Sequence, residues 1–246
     1  MRAQIKVGLQ KAGLFPAARA AWRKLSSEVR SQRRKELALY SQIVGPGSLC
    51  FDVGANLGQR TEVFLELGAR SILVEPNANC FTTLDYLFRN NQNVTIVRKA
   101  IGASVGTIPF YAHSTDSTAS VLPDWDAKVF GRNRNPSKAL VPMTTLDAII
   151  ERFGIPDFTK IDVEGFEVDV LMGLTRPLPV LSFEFHANAP DRMIACARLL
   201  RRFGEIEVRA ASMECEWLTA RTANVDACID EIVSRKLQGD LFVWCH

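Results

Sequence analysis

From residue 48 onward, two kinds of apolar pattern alternate along the chain. Ser48–Val53 and Arg70–Glu75 ("RSILVE") are short apolar runs, as in strands buried on both faces. Between and after them, Leu57–Leu67 spaces Leu57, Thr61, Phe64 and Leu65 at helical intervals. Asn79–Asn90 does the same with Phe81, Leu84, Leu87 and Phe88. Val94–Arg98 reads as a third strand. The order β-α-β-α-β predicts a doubly wound parallel sheet.

The middle of the chain is less regular. Gly102–Gly106 predicts a turn, Thr107–Tyr111 a short extra strand, and residues 112–140, rich in Ser, Thr, Asn, Pro and Gly, a long loop. A loop of that length within a compact domain is usually functional or mobile. Leu140–Met143 predicts a short strand, and Thr144-Thr145-Leu146-Asp147 a capping box opening a helix. Phe158–Val163 and Val180–Phe185 then read as a fourth and fifth parallel strand, with a short helix at Glu167–Met172 between them. A helix at Asp191–Phe203, a strand at Glu205–Arg209, a helix near Asn224–Lys236 and an antiparallel last strand at Leu241–Cys245 complete the pattern. The expectation is an α/β, Rossmann-like domain over residues 41–246. Its sheet has seven mostly parallel strands with helices on both faces.

Charge separates off the first forty residues. They hold ten Lys/Arg against two acids, Glu28 and Glu36, so they carry about +8 within a net charge of +3. They predict one or two helices broken near Gly13-Leu14-Phe15-Pro16. Leu14, Phe15, Ala18, Trp22 and Leu25 line one face, beside Arg19, Arg23 and Lys24. Such an extension suits contact with an anionic partner, such as a membrane surface or a charged glycan. The favoured expectation is plainer: a helical cap packed on the main domain, with its arginines in water.

Composition narrows the class. At 47% hydrophobic and 23% charged the chain is ordinary for a globular protein, without repeats or low-complexity segments. No apolar run reaches membrane-spanning length and no signal-peptide pattern opens the chain, so the expected location is cytoplasmic. The six scattered cysteines form no C-x-x-C and predict buried reduced thiols. No nucleic-acid partner is expected.

Candidate chemistry begins at "FDVGANLG", residues 51–58, the turn after the first strand. Gly54 allows a sharp turn and Gly58 a close helix approach. Asn56 stands where the dinucleotide pattern G-x-G-x-x-G has its second glycine. Asp52 repels a phosphate and attracts a cation such as an amine or a sulfonium. Both features favour S-adenosylmethionine, which has no phosphate, over a nicotinamide dinucleotide. Glu75 lies 21 residues after Gly54 at the end of the second strand, placed to accept both ribose hydroxyls of an adenosine. Ala100 and Ile101, after the third strand, can pack on an adenine, or can simply be strand-end packing.

These residues carry a resemblance. "FDVGANLGQRTEVFLELGA" followed by "VEPN", then "TTLDAII", "KIDVEGFEVDVLMGL" and "SFEFHA", resemble FkbM-type methyltransferases over about residues 48–187. The resemblance implies a class I S-adenosylmethionine-dependent fold and methyl transfer, mostly to hydroxyls of sugars and natural products. It places Asp52, Gly54, Asn56, Gly58 and Glu75 in the donor site. Asp162, Glu164 and Gly165 fall in the motif ending the fourth strand, where Asp162 also borders the cofactor.

Read physically, Lys160 and Asp162 alternate on one face of an otherwise apolar strand, an arrangement that must be paired or used. Glu184 and His186 end the neighbouring strand at the same level. One cleft is thus expected to gather Lys160, Asp162, Glu164, Glu184 and His186, with perturbed acid–base behaviour. It is expected also to be a structural network in which Lys160 neutralises a carboxylate. An alcohol acceptor needs a general base: His186 is the first candidate, Asp162 and Glu164 its rivals, and His113 a weaker one. Lys160, Glu184 and Ser120, the last residue of "STDSTAS" (114–120), are candidate acceptor contacts. Asp162 and Glu164 alone are too few ligands for a metal, and none is expected. Two other readings stay open: a nicotinamide-dependent oxidoreductase, and a non-catalytic membrane- or partner-binding protein on the same scaffold.

Overall fold

The computed structural model describes residues 14–112, 119–131 and 136–246. Two helices come first, α1 (Phe15–Leu25) and α2 (Ser27–Tyr40). The doubly wound unit follows as β1 (Leu49–Val53), α3 (Gln59–Glu66), β2 (Arg70–Val74), α4 (Ala78–Phe88) and β3 (Val94–Val97). After an inserted region, α6 (Leu146–Phe153), β8 (Phe158–Ile161), α7 (Glu167–Met172), β9 (Val180–Phe185), α8 (Pro190–Leu200), β10 (Ile206–Ser212), α9 (Val225–Ser234) and β11 (Gly239–Cys245) complete it. The seven-stranded sheet runs β10-β11-β9-β8-β1-β2-β3, and only β11 is antiparallel to its neighbours. This is the predicted architecture, including the reversed last strand. Among the described residues no helix is long and apolar enough to cross a membrane.

Alternation along each strand divides the core. In β1, Leu49, Phe51 and Val53 face α6–α9, while Cys50 faces the cluster of α2 and α3. On that second face, Tyr40 at the end of α2 meets Phe64 edge-on at 5.4 Å, with Phe158 and Phe242 beside them. The chain winds outward from β1 through β2 to β3, then crosses to β8 on the other side. The crevice at the switch between β1 and β8 is where such sheets bind ligands.

The insertion forms a second sheet, β4-β7-β5-β6, from β4 (Ala100–Ile101), β5 (Gly106–Ala112), β6 (Ala119–Ser120) and β7 (Ser137–Thr144). Its pairing was not legible, because two strands have only two residues each. The expected loop also holds a helix, α5 (Trp125–Phe130). His113 and residues 114–118 of the Ser/Thr segment lie outside the described residues.

Two local expectations are corrected and one is extended. The break expected near residues 13–16 meets the start of α1 at Phe15, with Pro16 in its first turn, where no N–H is needed, and with Gly13 outside the described residues. A further break falls at Ser26, whose extended backbone ends α1 and whose hydroxyl caps Val29 N–H. The cap of α6 is Thr145, accepting from Ala148 N–H, while Asp147 accepts instead from Thr175. The apolar stripe of α1 is only partly its packed face: Phe15 is buried and Ala18 half-buried, but Leu14, Trp22 and Leu25 are exposed, whereas Arg19 is buried. All six cysteines are free, and five are buried, as expected.

Candidate active site

The β1–α3 turn spends its own polar groups. Gly54 and Ala55 N–H both donate to Val74 C=O, Gly58 N–H donates to Ala55 C=O, and Asn56 N–H donates to Glu75 Oε2 at 2.7 Å. Gly54, at φ +82°, is fixed from outside as well: a Cβ there would lie 1.7 Å from the Asp162 carbonyl oxygen, so β1 and β8 touch at that point. Asn56 is left-handed at φ +53°, a conformation asparagine tolerates better than most residues. At Gly58 a Cβ would run into the Phe88 ring, so this glycine seats α3 against α4.

Asp52 lies beneath the turn, buried. Its Oδ2 accepts from Thr61 N–H at 2.9 Å and Thr61 Oγ1–H at 2.6 Å, and so caps the first turn of α3. The helix N-terminus that would receive a phosphate already holds the chain's own carboxylate. Burial pushes Asp52 above its ordinary value, against the pull of Thr61. Glu75 is likewise buried, with Oε1 accepting from Asn77 N–H at 2.7 Å; burial raises it to about 7 despite its two backbone donors.

The acid end is gathered from distant segments. Lys160, 1% exposed, reaches Asp240 at 2.7 Å and Asp162 at 3.4 Å. Burial opposes its charge, but Asp162 and Asp240 outweigh burial and raise its pKa. Burial likewise presses Asp162 upward, and Lys160 and Arg60 more than offset this, holding it low. Glu184 Oε2 stands 3.1 Å from His186 Nε2. Burial, then Asp162, lift Glu184 to about 7; burial, then Asp162 and Glu184, lift Glu164 to about 8. Burial pulls His186 down, but its bond to Glu184 leaves it raised. Ligand atoms of Glu164, Glu184 and His186 lie within 4.8 Å of one another, a spacing a cation can bridge, and Lys160 already supplies one positive charge.

A strap covers this cluster. Trp125 Nε1–H donates to Glu164 Oε2 at 3.0 Å, and its ring stands edge-on to His186. Gly165, at φ +94°, leaves room for that ring, since a Cβ would sit 2.5 Å from it. Glu164 is itself left-handed at φ +53°, and Glu167 Oε1 steadies the bend by accepting from Val163 and Gly165 N–H. Ser120 Oγ–H donates to Glu164 C=O.

A cavity of about 330 Å³ joins both ends. Its walls include Asp52, Gly54, Asn56, Glu75, Ala100 and Ile101 at one end, and Asp162, Glu164 and Glu184 at the other. Of the expected residues, Gly58, Lys160, Ser120 and His186 do not line it: the first seats α3, and the other three touch lining residues from behind. Arg60, Phe110, Phe166 and Met213 line it without having been anticipated: Arg60 and Phe166 lie within the two quoted motifs, close to Gly58 and Gly165, whereas Phe110 and Met213 are remote in the chain and no motif marks them. Trp125 and Asp240 were missed for the same reason. Glu167 lies within the quoted "VEGFE" and was legible as the acid that closes the turn before α7.

Residues 52–207 match the methyltransferase FkbM domain. The chain belongs to the FkbM methyltransferase family. No curated protein matches the sequence significantly. Among solved structures, this FkbM-family chain overlaps a precorrin-6Y C5,15-methyltransferase from Geobacter metallireducens at 13% identity and TM-score 0.45, covering 90% of each chain. It overlaps a TehB-like S-adenosylmethionine-dependent methyltransferase from Corynebacterium glutamicum at 10% identity and TM-score 0.45, covering 86% of each. These overlaps are too loose to add to the strand order set by the FkbM-family chain's own ladders.

Proposed function

We propose that this protein transfers a methyl group from S-adenosylmethionine to a hydroxyl oxygen of a sugar, a glycan or a natural-product alcohol. One observation carries the choice of donor: the turn's N–H groups at 54, 55, 56 and 58 are consumed internally, and Asp52 occupies the α3 N-terminus. A pyrophosphate would find four of the turn's N–H groups already bonded and would meet the Asp52 carboxylate at the helix start, which disfavours a nicotinamide dinucleotide. A phosphate-free adenosine bearing an ammonium and a sulfonium suits the same walls. Each Glu75 oxygen keeps a lone pair for a ribose hydroxyl, and Ala100 and Ile101 flank the adenine position.

Family membership supports methyl transfer, and the acid end supports an oxygen acceptor. As the acceptor oxygen bonds to the methyl carbon, the S–C bond breaks, the sulfur leaves as a thioether, and the hydroxyl proton needs a base. The Glu184–His186 pair is the proposed base, Glu184 facing the cavity and His186 behind it. Asp162, held ionised by Lys160 and Arg60, keeps the sulfonium side of the cleft negative, and Trp125 fixes the Glu164 carboxyl group.

Calorimetric titration with S-adenosylhomocysteine and, separately, NADH tests the donor. Binding of the first alone is expected; failure of the first, or tight binding of the second, overturns the assignment. For the base, His186→Ala is expected to lose turnover against a panel of polyol acceptors while keeping donor affinity. Unchanged turnover removes His186 from the pair.

A further inference from the structure

Helix α1 is amphipathic in the inverted sense. At 100° per residue, Phe15, Pro16, Arg19 and Arg23 share one face, and Leu14, Ala18, Ala21, Trp22 and Leu25 the other. The face turned to the protein is the one carrying the arginines. Arg19 is buried, its Nη2 without a partner among the described residues, and burial lowers its pKa to about 10. Arg23 pairs with Glu62 of α3 at 2.9 Å. Meanwhile Leu14, Trp22 and Leu25 are 57%, 52% and 78% exposed. A cap built only to cover the domain would turn these three inward and leave the arginines in water.

The surroundings of that outer face are cationic. Lys24 at the edge of the stripe, and Arg30 and Arg34 on α2, are exposed and form no ion pair among the described residues. Of the two acids on α1 and α2, Glu36 is buried against Arg60, leaving Glu28 as the exposed one. Docking to a second copy through this face would bring like charges together. An anionic phospholipid surface instead attracts the cations and accepts the leucines, and Trp is at home at the headgroup boundary.

We propose that α1 lies on an anionic phospholipid bilayer surface, seating Leu14, Trp22 and Leu25 among the acyl-chain ends with Lys24, Arg30 and Arg34 toward the headgroups. The proposal is independent of the methyl-transfer reading, and its test uses no methyl donor. The full chain is sedimented with phosphatidylcholine vesicles with and without phosphatidylserine. Co-sedimentation is expected only with the anionic vesicles, and high salt should release it. The double variant Trp22→Ser/Leu25→Ser should bind about tenfold more weakly. Its melting temperature should be unchanged, because both side chains are exposed. Lys24→Ala/Arg34→Ala should bind less and respond less to salt. Three results overturn the proposal: no preference for anionic vesicles, full binding by the Trp22/Leu25 variant, or lipid-free dimerisation that this variant abolishes, which would make the face a contact between copies.

Discussion

At the donor end of the cleft, the constraints on the glycine turn come mostly from residues 52–77, within one β-α-β unit. At the acid end they come from Ser120 and Trp125 in the insertion, Lys160–Glu167 at the end of β8, Glu184 and His186 on β9, and Asp240 on β11. The donor end is made of backbone geometry, fixed by glycine conformations and N–H groups. The acid end is made of side-chain charge, balanced by the buried Lys160 with help from Arg60. Local geometry of the first kind can be spelled in a motif. A charge balance of the second kind exists only once distant strands lie side by side.

The largest test of this contrast lies where the two ends touch. Gly54→Ala forces a non-glycine residue to φ +82° and drives a Cβ into the Asp162 carbonyl. A loss of at least about 4 kcal/mol, or no soluble protein, is expected. A melting temperature near wild type would mean that β1 and β8 are not locked there. Next comes Lys160→Met, which leaves Asp240 buried and uncompensated. About 3–5 kcal/mol should be lost, a fall in melting temperature on the order of 10 °C. A negligible fall would remove Lys160 as the counter-charge of the acid end.

The third test reads the carboxylates through pH. Glu164 is raised to about 8, and Glu75 and Glu184 to about 7, from an ordinary value of 4.5. Between those limits the folded chain keeps protons that the unfolded chain has released. Their contribution to stability is therefore full below 4.5 and is lost as pH rises through about 8. Denaturation midpoints of the donor-free protein should fall from pH 5 to pH 9, and Glu164→Gln should flatten the decline. A rising trend would contradict the burial of these groups. The smallest effect is expected at Arg19→Met, which removes a buried cation whose Nη2 has no partner among the described residues. Stability should change by no more than about 1 kcal/mol, in either direction. A large loss in thermal denaturation would reveal a partner for its guanidinium.

Much of the main sheet was legible because its signals are local. Glu167–Met172 and Val180–Phe185 match the structure residue for residue, and the other predicted elements of the doubly wound unit are present with ends shifted by a few positions. The second sheet was not legible as a sheet, since β4 and β6 are too short to show a period and their partners are remote. The stripe on α1 was legible as a stripe, but a helical period does not say which face turns inward.

The sequence by itself determined the alternation of strand and helix, the left-handed turn at Gly54–Gly58, the acid at Glu75 and the family. Each depends on residues close in the chain, where backbone conformation and side-chain spacing set the outcome. Only the tertiary structure decided that four of the turn's N–H groups are already taken, that Asp240 shares Lys160 with Asp162, that Trp125 holds Glu164, and that α1 turns its arginines toward the domain. Those outcomes depend on strand order and burial, and burial acts on whichever groups the fold brings together, however far apart they lie in the chain.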